Sequence, residues 1–240
     1  MPSNNPVELF VQHMLRYTVR LIRNAPSIAR VSGAASGIIV RISRRLVLLT
    51  AGHIFDRPGT WTMETSTVVR GRTLNLQLPN VQRLCSIDLT SDKNSDIDLA
   101  WAPLDCEESK EQMRRDATMR GRDITLPIYT GPLELISKRS EAYGFAAQNR
   151  VELHGAHYLY SRPSFEVGMA FKRCRGENGL YQFALARPHQ GHDYYSGASG
   201  APIANEEGKI VSLIISGDAA GRARLWGIPL ARYAPLLNFV

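Results

Sequence analysis

Three short segments of the chain carry the side chains that nucleophilic catalysis uses. Their sequences are TAGH at residues 50–53, SDIDLAW at 95–101 and SGASGAPI at 196–203. A serine hydroxyl is a weak nucleophile until a histidine takes its proton, and a carboxylate orients that histidine and stabilises its charged form. The three segments supply these residue types, and together they predict an acyl-transfer site built from a serine, a histidine and an aspartate.

The histidine and serine candidates are His53 and Ser199. His53 follows the apolar run RLVLL and a small Ala-Gly pair, so a buried strand holds it while its side chain faces a cleft. Small residues flank Ser199 on both sides, which lets the backbone turn sharply and expose the hydroxyl. The backbone N–H groups of Gly197 and Ser199 can then point to one position, as the stabilisation of an oxyanion requires.

The sequence pattern alone does not determine which aspartate orients the histidine. Asp96 and Asp98 are two positions apart at the start of an apolar run. Residues two apart on a strand face the same way, so strand alternation does not distinguish between them. Both therefore stay candidates for the residue that orients His53.

The elements that position these segments are mostly short β-strands. Strand-like runs begin near residue 30 and include SGIIVRIS at 36–43, RLVLLTA at 45–51 and KIVSLIIS at 209–216. A dense charge run at 107–123 lacks apolar periodicity and separates two sets of such runs. Many short strands on either side of one polar linker are typical of an all-β protein with two barrels or sandwiches.

The chain divides into four predicted parts. We assign residues 1–29 to a helical leader, 30–106 to a first β unit with the histidine and aspartate, 107–124 to a charged linker, and 125–240 to a second β unit with the serine and a short C-terminal helix. Within the leader, the apolar spacing predicts a helix over 6–23 whose arginines 16, 20 and 23 share one polar flank. This basic helix either docks on the domain surface or contacts an acidic regulatory partner or an anionic membrane.

Composition limits the class of protein and its partners. The chain has 240 residues with 44% hydrophobic and 21% charged side chains, which excludes disorder, collagen and coiled coil as the main state. A net charge of +7 permits contact with nucleic acid but demonstrates none, and we do not expect it as the main partner. No apolar run approaches the ~20 residues of a membrane span. Three cysteines (85, 106 and 174) without CxxC spacing, and an N-terminus unlike a signal peptide, predict a reducing, cytoplasmic location.

The three motifs together resemble those of the trypsin/chymotrypsin-like serine peptidases, specifically the disulfide-free bacterial forms. TAGH is similar to the family's histidine motif, DLAWAPL to its aspartate strand and GASGAP to its serine motif. The resemblance extends from about residue 32 to 235. It implies two six-stranded antiparallel β-barrels, an endopeptidase activity, and a triad of His53, Asp98 and Ser199. In the family the acid precedes an aliphatic and then a small residue, which favours Asp98 over Asp96.

The resemblance also suggests which residues contact substrate. Asp193 lies six residues before Ser199, where trypsin itself carries the acid that selects Arg or Lys, although the two tyrosines after Asp193 could fill such a pocket. Asp193 is alternatively a solvated loop residue. His189 and His192 are close enough in sequence to the serine segment to contact substrate, and Ser216 belongs to a strand that resembles the wall of the family's specificity pocket. We take His192 and Ser216 as the substrate-binding candidates.

Departures from the family pattern sharpen these expectations. Ile54 stands where secreted members have a disulfide cysteine, and Ala198 stands where zymogen-type members have an aspartate, so we expect an intracellular enzyme without proteolytic activation. We expect neither a cofactor nor a metal, because the histidine pairs 154/157 and 189/192 fall in predicted strands or loops. The alternatives to an active peptidase are a peptidase that needs a partner, and an idle protease-like domain that binds protein or nucleic acid.

Overall fold

The computed structural model describes residues 5–25, 28–69, 72–78, 80–87, 94–104, 125–136, 141–154, 158–176, 179–218 and 223–239. The predicted linker at 107–124 lies outside the described residues, as do Cys106 and His157. No helix in the described ranges is long and apolar enough to cross a bilayer.

The first half of the chain forms one curled sheet. Its strands are β1 (Thr18–Ala25), β2 (Ile28–Ile42), β3 (Arg45–Thr50), β4 (Thr60–Val69), β5 (Arg72–Gln77), β6 (Gln82–Ile87), β7 (Asn94–Leu104) and β8 (Ile128–Tyr129). Their order is β5-β4-β1-β2-β3-β7-β6, and β8 pairs with β2. The sheet buries apolar side chains such as Leu21, Ile38, Leu49 and Leu99, which have no exposed area. This buried layer holds β3 and β7 rigidly within the sheet.

The second half forms a closed barrel of six antiparallel strands. These are β9 (Ala142–His154), β10 (Tyr158–Arg175), β11 (Leu180–Ala184), β12 (Pro202–Asn205), β13 (Ile210–Gly217) and β14 (Arg224–Pro229), and they close in the order β10-β11-β14-β13-β12-β9. Its core includes the fully buried rings of Phe145 and Phe183. The predicted all-β, two-barrel architecture is confirmed. The second barrel has the six predicted strands, and the described strands of the first form an open sheet of eight.

The N-terminal helix α1 (Pro6–Tyr17) is shorter than the pattern predicts. Asn5 caps its first turn by accepting a hydrogen bond from the Val7 N–H at 3.0 Å. The helical prediction for residues 18–23 is wrong, because these residues form β1 and pair with β2 and β4. Long-range strand pairing overrides the local helical spacing here. The predicted basic flank is therefore not one helix face: arginines 20 and 23 lie on β1.

The remaining helices are short. α2 (His192–Tyr195) precedes the serine segment, and the chain ends with α3 (Leu230–Tyr233) and a 3₁₀ helix, Ala234–Phe239, which confirms the predicted C-terminal helix. A further 3₁₀ helix, Gly52–Asp56, follows β3 directly. The Gly52–Asp56 helix and α2 stand on the two sides of the junction between the sheet and the barrel, and this junction holds the site.

Candidate active site

His53 lies in the 3₁₀ helix that follows β3, next to Asp98 on β7. Its backbone N–H donates to Asp98 Oδ1 at 2.7 Å, and its ring Nδ1 is 2.8 Å from Asp98 Oδ2. Gly52 makes this approach possible, since a Cβ there would lie 3.2 Å from Asp98 Oδ1. The two bonds fix the imidazole in position and in orientation. The side chain of Asp96 lies outside the described residues, and Asp98 is the aspartate in contact with His53.

The serine candidate completes a chain of hydrogen bonds. His53 Nε2 is 3.0 Å from Ser199 Oγ, so the carboxylate of Asp98, the imidazole and the hydroxyl follow one another at hydrogen-bond distance. With Nδ1 donating to the carboxylate, Nε2 is the nitrogen that accepts from the hydroxyl. This is the geometry in which a histidine can take a serine's proton.

The serine segment is held from the opposite sheet by Ser36 of β2. The Ser36 N–H donates to the Ser199 carbonyl at 2.8 Å, and the Ser36 hydroxyl donates to the Gly197 carbonyl at 2.9 Å. Gly200, with φ +84°, passes so close to this strand that a Cβ would overlap the Ser36 carbonyl oxygen and the Thr50 hydroxyl. A side chain at position 200 is therefore excluded both by backbone conformation and by space.

Two backbone donors lie beside the Ser199 hydroxyl. Gly197 has φ +89°, a conformation that favours glycine, and the turn it makes precedes Ser199 directly. Among the described residues, none accepts a hydrogen bond from the N–H of Gly197 or of Ser199. Both N–H groups are thus available to a negatively charged oxygen at this position.

The pKa of His53 is raised above its usual value near 6.5. The hydrogen bond to Asp98 is the main cause, burial opposes it, and the charges of Asp98 and Asp56 add to it while that of Arg83 subtracts. Asp56 and Arg83 pair with each other at 2.7 Å, so their effects on the imidazole are coupled. His53 is thus a stronger base than a free histidine.

A cavity of about 830 Å³ contains these groups and extends into the second barrel. The substrate-binding candidates His192 and Ser216 are exposed and line it. Asp193 is exposed on α2 and is not among the described residues of the cavity wall. Its position on a one-turn helix, two residues before the buried Tyr195, turns its side chain to solvent.

The cavity wall also contains residues that were not expected from the sequence: Arg23, Arg57, Trp61 and Asp218. No local pattern marks these four residues, because long-range pairing between strands brings them to the cavity. His189, which is close in sequence to the serine segment, lines the wall too. Arg23 and His189 are buried, with 9% and 7% of their surface exposed.

Within the described residues, no group of three or more His, Cys, Asp or Glu side chains could hold a metal ion. His189 and His192 both line the cavity. The side chain of His154 and the whole of His157 lie outside the described residues. The two described cysteines, Cys85 and Cys174, are exposed.

The two-barrel fold is the chymotrypsin-like fold of the serine proteases. A structure of human heparin binding protein is similar with a TM-score of 0.59 at 16% sequence identity, over 95% of this chain and 92% of that one. A serine endoprotease from Yersinia pestis is similar with a TM-score of 0.53 at 13% identity, over 100% and 67% of the two chains. No family model matches the sequence, and no curated protein matches it.

Proposed function

We propose that the chain is a serine endopeptidase that hydrolyses peptide bonds through an acyl-enzyme. The observation that carries this proposal is the hydrogen-bond chain from Asp98 through His53 to Ser199, with distances of 2.8 and 3.0 Å. The two unused N–H groups beside the serine and the open cavity around it support the same chemistry. The fold agrees with this proposal but is compatible with other functions.

In the first step, Ser199 Oγ attacks the carbonyl carbon of the scissile bond while its proton passes to His53 Nε2. The carbonyl π electrons move to oxygen, and the N–H groups of Gly197 and Ser199 stabilise the oxyanion. Asp98 keeps the proton of His53 on Nδ1 and stabilises the imidazolium. His53 then gives its proton to the leaving amine, the C–N bond breaks, and an ester on Ser199 remains.

In the second step, water replaces the amine. His53 takes a proton from the water, whose oxygen attacks the ester carbonyl, and the same two N–H groups stabilise the second oxyanion. The carbon–Oγ bond breaks as the proton returns to Ser199. The products are a free carboxylate and the regenerated hydroxyl, so the cycle consumes one water for each peptide bond.

Cleavage of an unfolded protein tests the proposal. Reduced and alkylated casein is incubated with the parent chain and with Ser199→Ala, and new amino termini are counted. We expect cleavage by the parent and a loss in kcat on the order of 10⁶ in Ser199→Ala. Ser66→Ala, at an exposed serine of β4, is the matched control and should cleave like the parent. Equal cleavage by the parent and Ser199→Ala would contradict the proposal.

A second candidate function is binding of a polyanion or an acidic protein without catalysis. Two observations favour it: a structure with a similar fold is that of a heparin binding protein, and this chain has a net charge of +7. Binding to heparin and to duplex DNA across a salt series is the direct test, because neutralised charges give a steep loss of affinity with salt. Binding by a folded parent chain that cleaves nothing would favour this candidate over the peptidase.

Location and regulation complete the proposal. The exposed thiols of Cys85 and Cys174 support an intracellular location, where thiols stay reduced. Val7 and Leu9 of α1 are both exposed apolar side chains, and this exposure supports a regulatory partner at the helix. The side chain of Arg16 adds positive charge to this helix. A preference for Arg or Lys has no such support, since Asp193 is outside the cavity wall.

A further inference from the structure

His189 stands in the wall of the cavity beside the serine segment. Its imidazole is 7% exposed and lies against the ring of Tyr195, with ring centroids 4.3 Å apart. On the other side it abuts Gly217 at the end of β13, where a Cβ would lie 2.8 Å from His189 Nε2. The ring is thus enclosed by α2 and β13, the two elements that flank the serine on its second-barrel side.

The hydrogen bonds of His189 determine which ring nitrogen carries the proton. The Gly191 N–H donates to Nδ1 at 3.1 Å, so Nδ1 is the acceptor nitrogen and the proton of the neutral ring is on Nε2. Among the described residues, none accepts a hydrogen bond from Nε2. Burial lowers the pKa of His189, the charges of Asp218 and Glu166 oppose this, and His192 adds to it. The cavity therefore contains an N–H donor for which the described part of the chain supplies no acceptor.

A carboxylate lies near this donor in the cavity, close enough to affect the pKa of His189. Asp218 follows Gly217 directly, lines the same cavity and has a side chain that is 19% exposed. Its Oδ2 is 3.3 Å from Arg224 Nε, so the negative charge already has a cationic partner. The second nearby carboxylate, Glu166, accepts a hydrogen bond from the Tyr195 hydroxyl at 2.5 Å. Both carboxylates can accept hydrogen bonds; Asp218 is paired with a cation, and Glu166 already accepts from a hydroxyl.

We propose that this part of the cavity binds an uncharged carboxamide side chain, glutamine or asparagine, on the residue whose carbonyl Ser199 attacks. The carboxamide oxygen accepts from His189 Nε2–H, and its NH₂ group donates to the Asp218 carboxylate. The inference rests on the proposed peptidase function and adds the substrate class to it.

Other side chains fit this wall less well. An arginine or lysine would lose its hydration beside a carboxylate that Arg224 already pairs. A glutamate would be desolvated next to Asp218, and the like charge of that carboxylate would disfavour its ionised form. An apolar side chain would leave the N–H of His189 unpaired in a buried site. The carboxamide supplies one acceptor and one donor and brings no net charge.

The test separates the substrate class from the peptidase activity. Active enzyme is first titrated with a fluorophosphonate, and kcat/KM is then measured on peptides that differ only in the residue before the scissile bond. Glutamine is compared with methionine, which has a similar shape without the amide, and with glutamate, arginine and leucine. A site built around a hydrogen bond rejects the analogue that lacks it, so we expect glutamine or asparagine to exceed methionine by at least about tenfold.

Two variants assign this preference to His189. His189→Phe keeps a ring against Tyr195 but removes the N–H, and we expect the glutamine-to-methionine ratio to fall to about one or below. His13→Phe makes the same change on α1, away from the cavity, and should keep the ratio of the parent. The Gly217→Ala variant, whose Cβ would cover Nε2, should lower the ratio as well.

The outcomes are distinguishable. Fluorophosphonate labelling with a preference for arginine, glutamate or leucine, or with equal ratios in the parent and His189→Phe, overturns the inference and leaves the peptidase proposal standing. No labelling of folded parent chain overturns both.

Discussion

A methyl group added at Gly200 should destabilise the protein and displace the catalytic serine. With φ at +84°, an alanine there adopts a left-handed conformation that costs about 1–2 kcal/mol. Its Cβ would also overlap the Ser36 carbonyl oxygen and the Thr50 hydroxyl. The Cβ position is fixed by the backbone, so no rotamer relieves the overlap and the two strands must move apart. Overpacking of this kind costs about 1–3 kcal/mol.

Strain and overlap together cost about 2–5 kcal/mol, and the lower entropy of the unfolded alanine chain reduces the expected net loss for Gly200→Ala to about 1–4.6 kcal/mol in the free energy of unfolding. Gly176→Ala is the matched control, because Gly176 has φ +69° and no atom within 4 Å of an added Cβ. Gly176→Ala has only the cost of the left-handed backbone conformation. In both variants, alanine makes the unfolded chain less flexible than glycine does, which offsets about 0.4–1 kcal/mol of the loss. The difference between the two variants isolates the overlap with Ser36 and Thr50.

Urea unfolding measures both stabilities, and kcat/KM measures the effect on the site. Ser36 also bonds the Ser199 carbonyl, so a displaced strand shifts the nucleophile, and a misplacement of about 1 Å costs on the order of 10²-fold in rate. We expect Gly200→Ala to lose both stability and activity and Gly176→Ala to retain its activity. Equal stability of the two variants, with full activity in both, would refute the packing argument.

Three further predictions concern charge. Because the pKa of His53 is raised and its neutral form is the base, kcat/KM should fall as the pH drops through an apparent pKa above 6.5; a value below 6.5 would contradict the assigned hydrogen bond to Asp98. Asp98→Asn removes the main cause of the raised pKa, so the apparent pKa of the kcat/KM profile should shift to lower pH while kcat falls about 10⁴-fold. An unchanged apparent pKa would argue against Asp98 as the partner of His53. Glu64→Gln removes the negative charge that lies 3.1 Å from Arg20 Nη1, whose side chain is 10% exposed, and should lower the free energy of unfolding by roughly 1–3 kcal/mol in urea titrations. An unchanged midpoint would show that the charge of this pair contributes nothing.

The site was predictable to the extent that local sequence encodes it. Small residues around Ser199 and a histidine at the end of a buried strand have local physical reasons, and the structure brings these two residues within hydrogen-bond distance. Strand alternation does not distinguish Asp96 from Asp98, since residues two apart on a strand are expected to face the same way. Only the path of β7 past the 3₁₀ helix at Gly52 puts Asp98 against His53. The all-β fold class was predictable for a similar reason, because the sequence contains many short strand-like runs.

The cavity wall was not predictable, because its residues meet through long-range contacts. Tyr195 turns inward to donate to Glu166 of β10, and this contact leaves Asp193 on the solvent side of a one-turn helix. His189 becomes a wall residue only because Gly217 of β13 leaves room for its ring. The error at β1 has the same origin: its helical spacing is real, but pairing with β2 and β4 determines the structure.

The central claim is that His53 activates Ser199 as a nucleophile. The most direct measurement is the second-order rate constant for fluorophosphonate reaction with the parent chain and with His53→Ala, with the adduct mapped by mass spectrometry. We predict one adduct, on Ser199, and a rate at least about 10²-fold lower in His53→Ala. A folded parent chain that reacts no faster than His53→Ala, or that carries its adduct on another residue, would contradict the account.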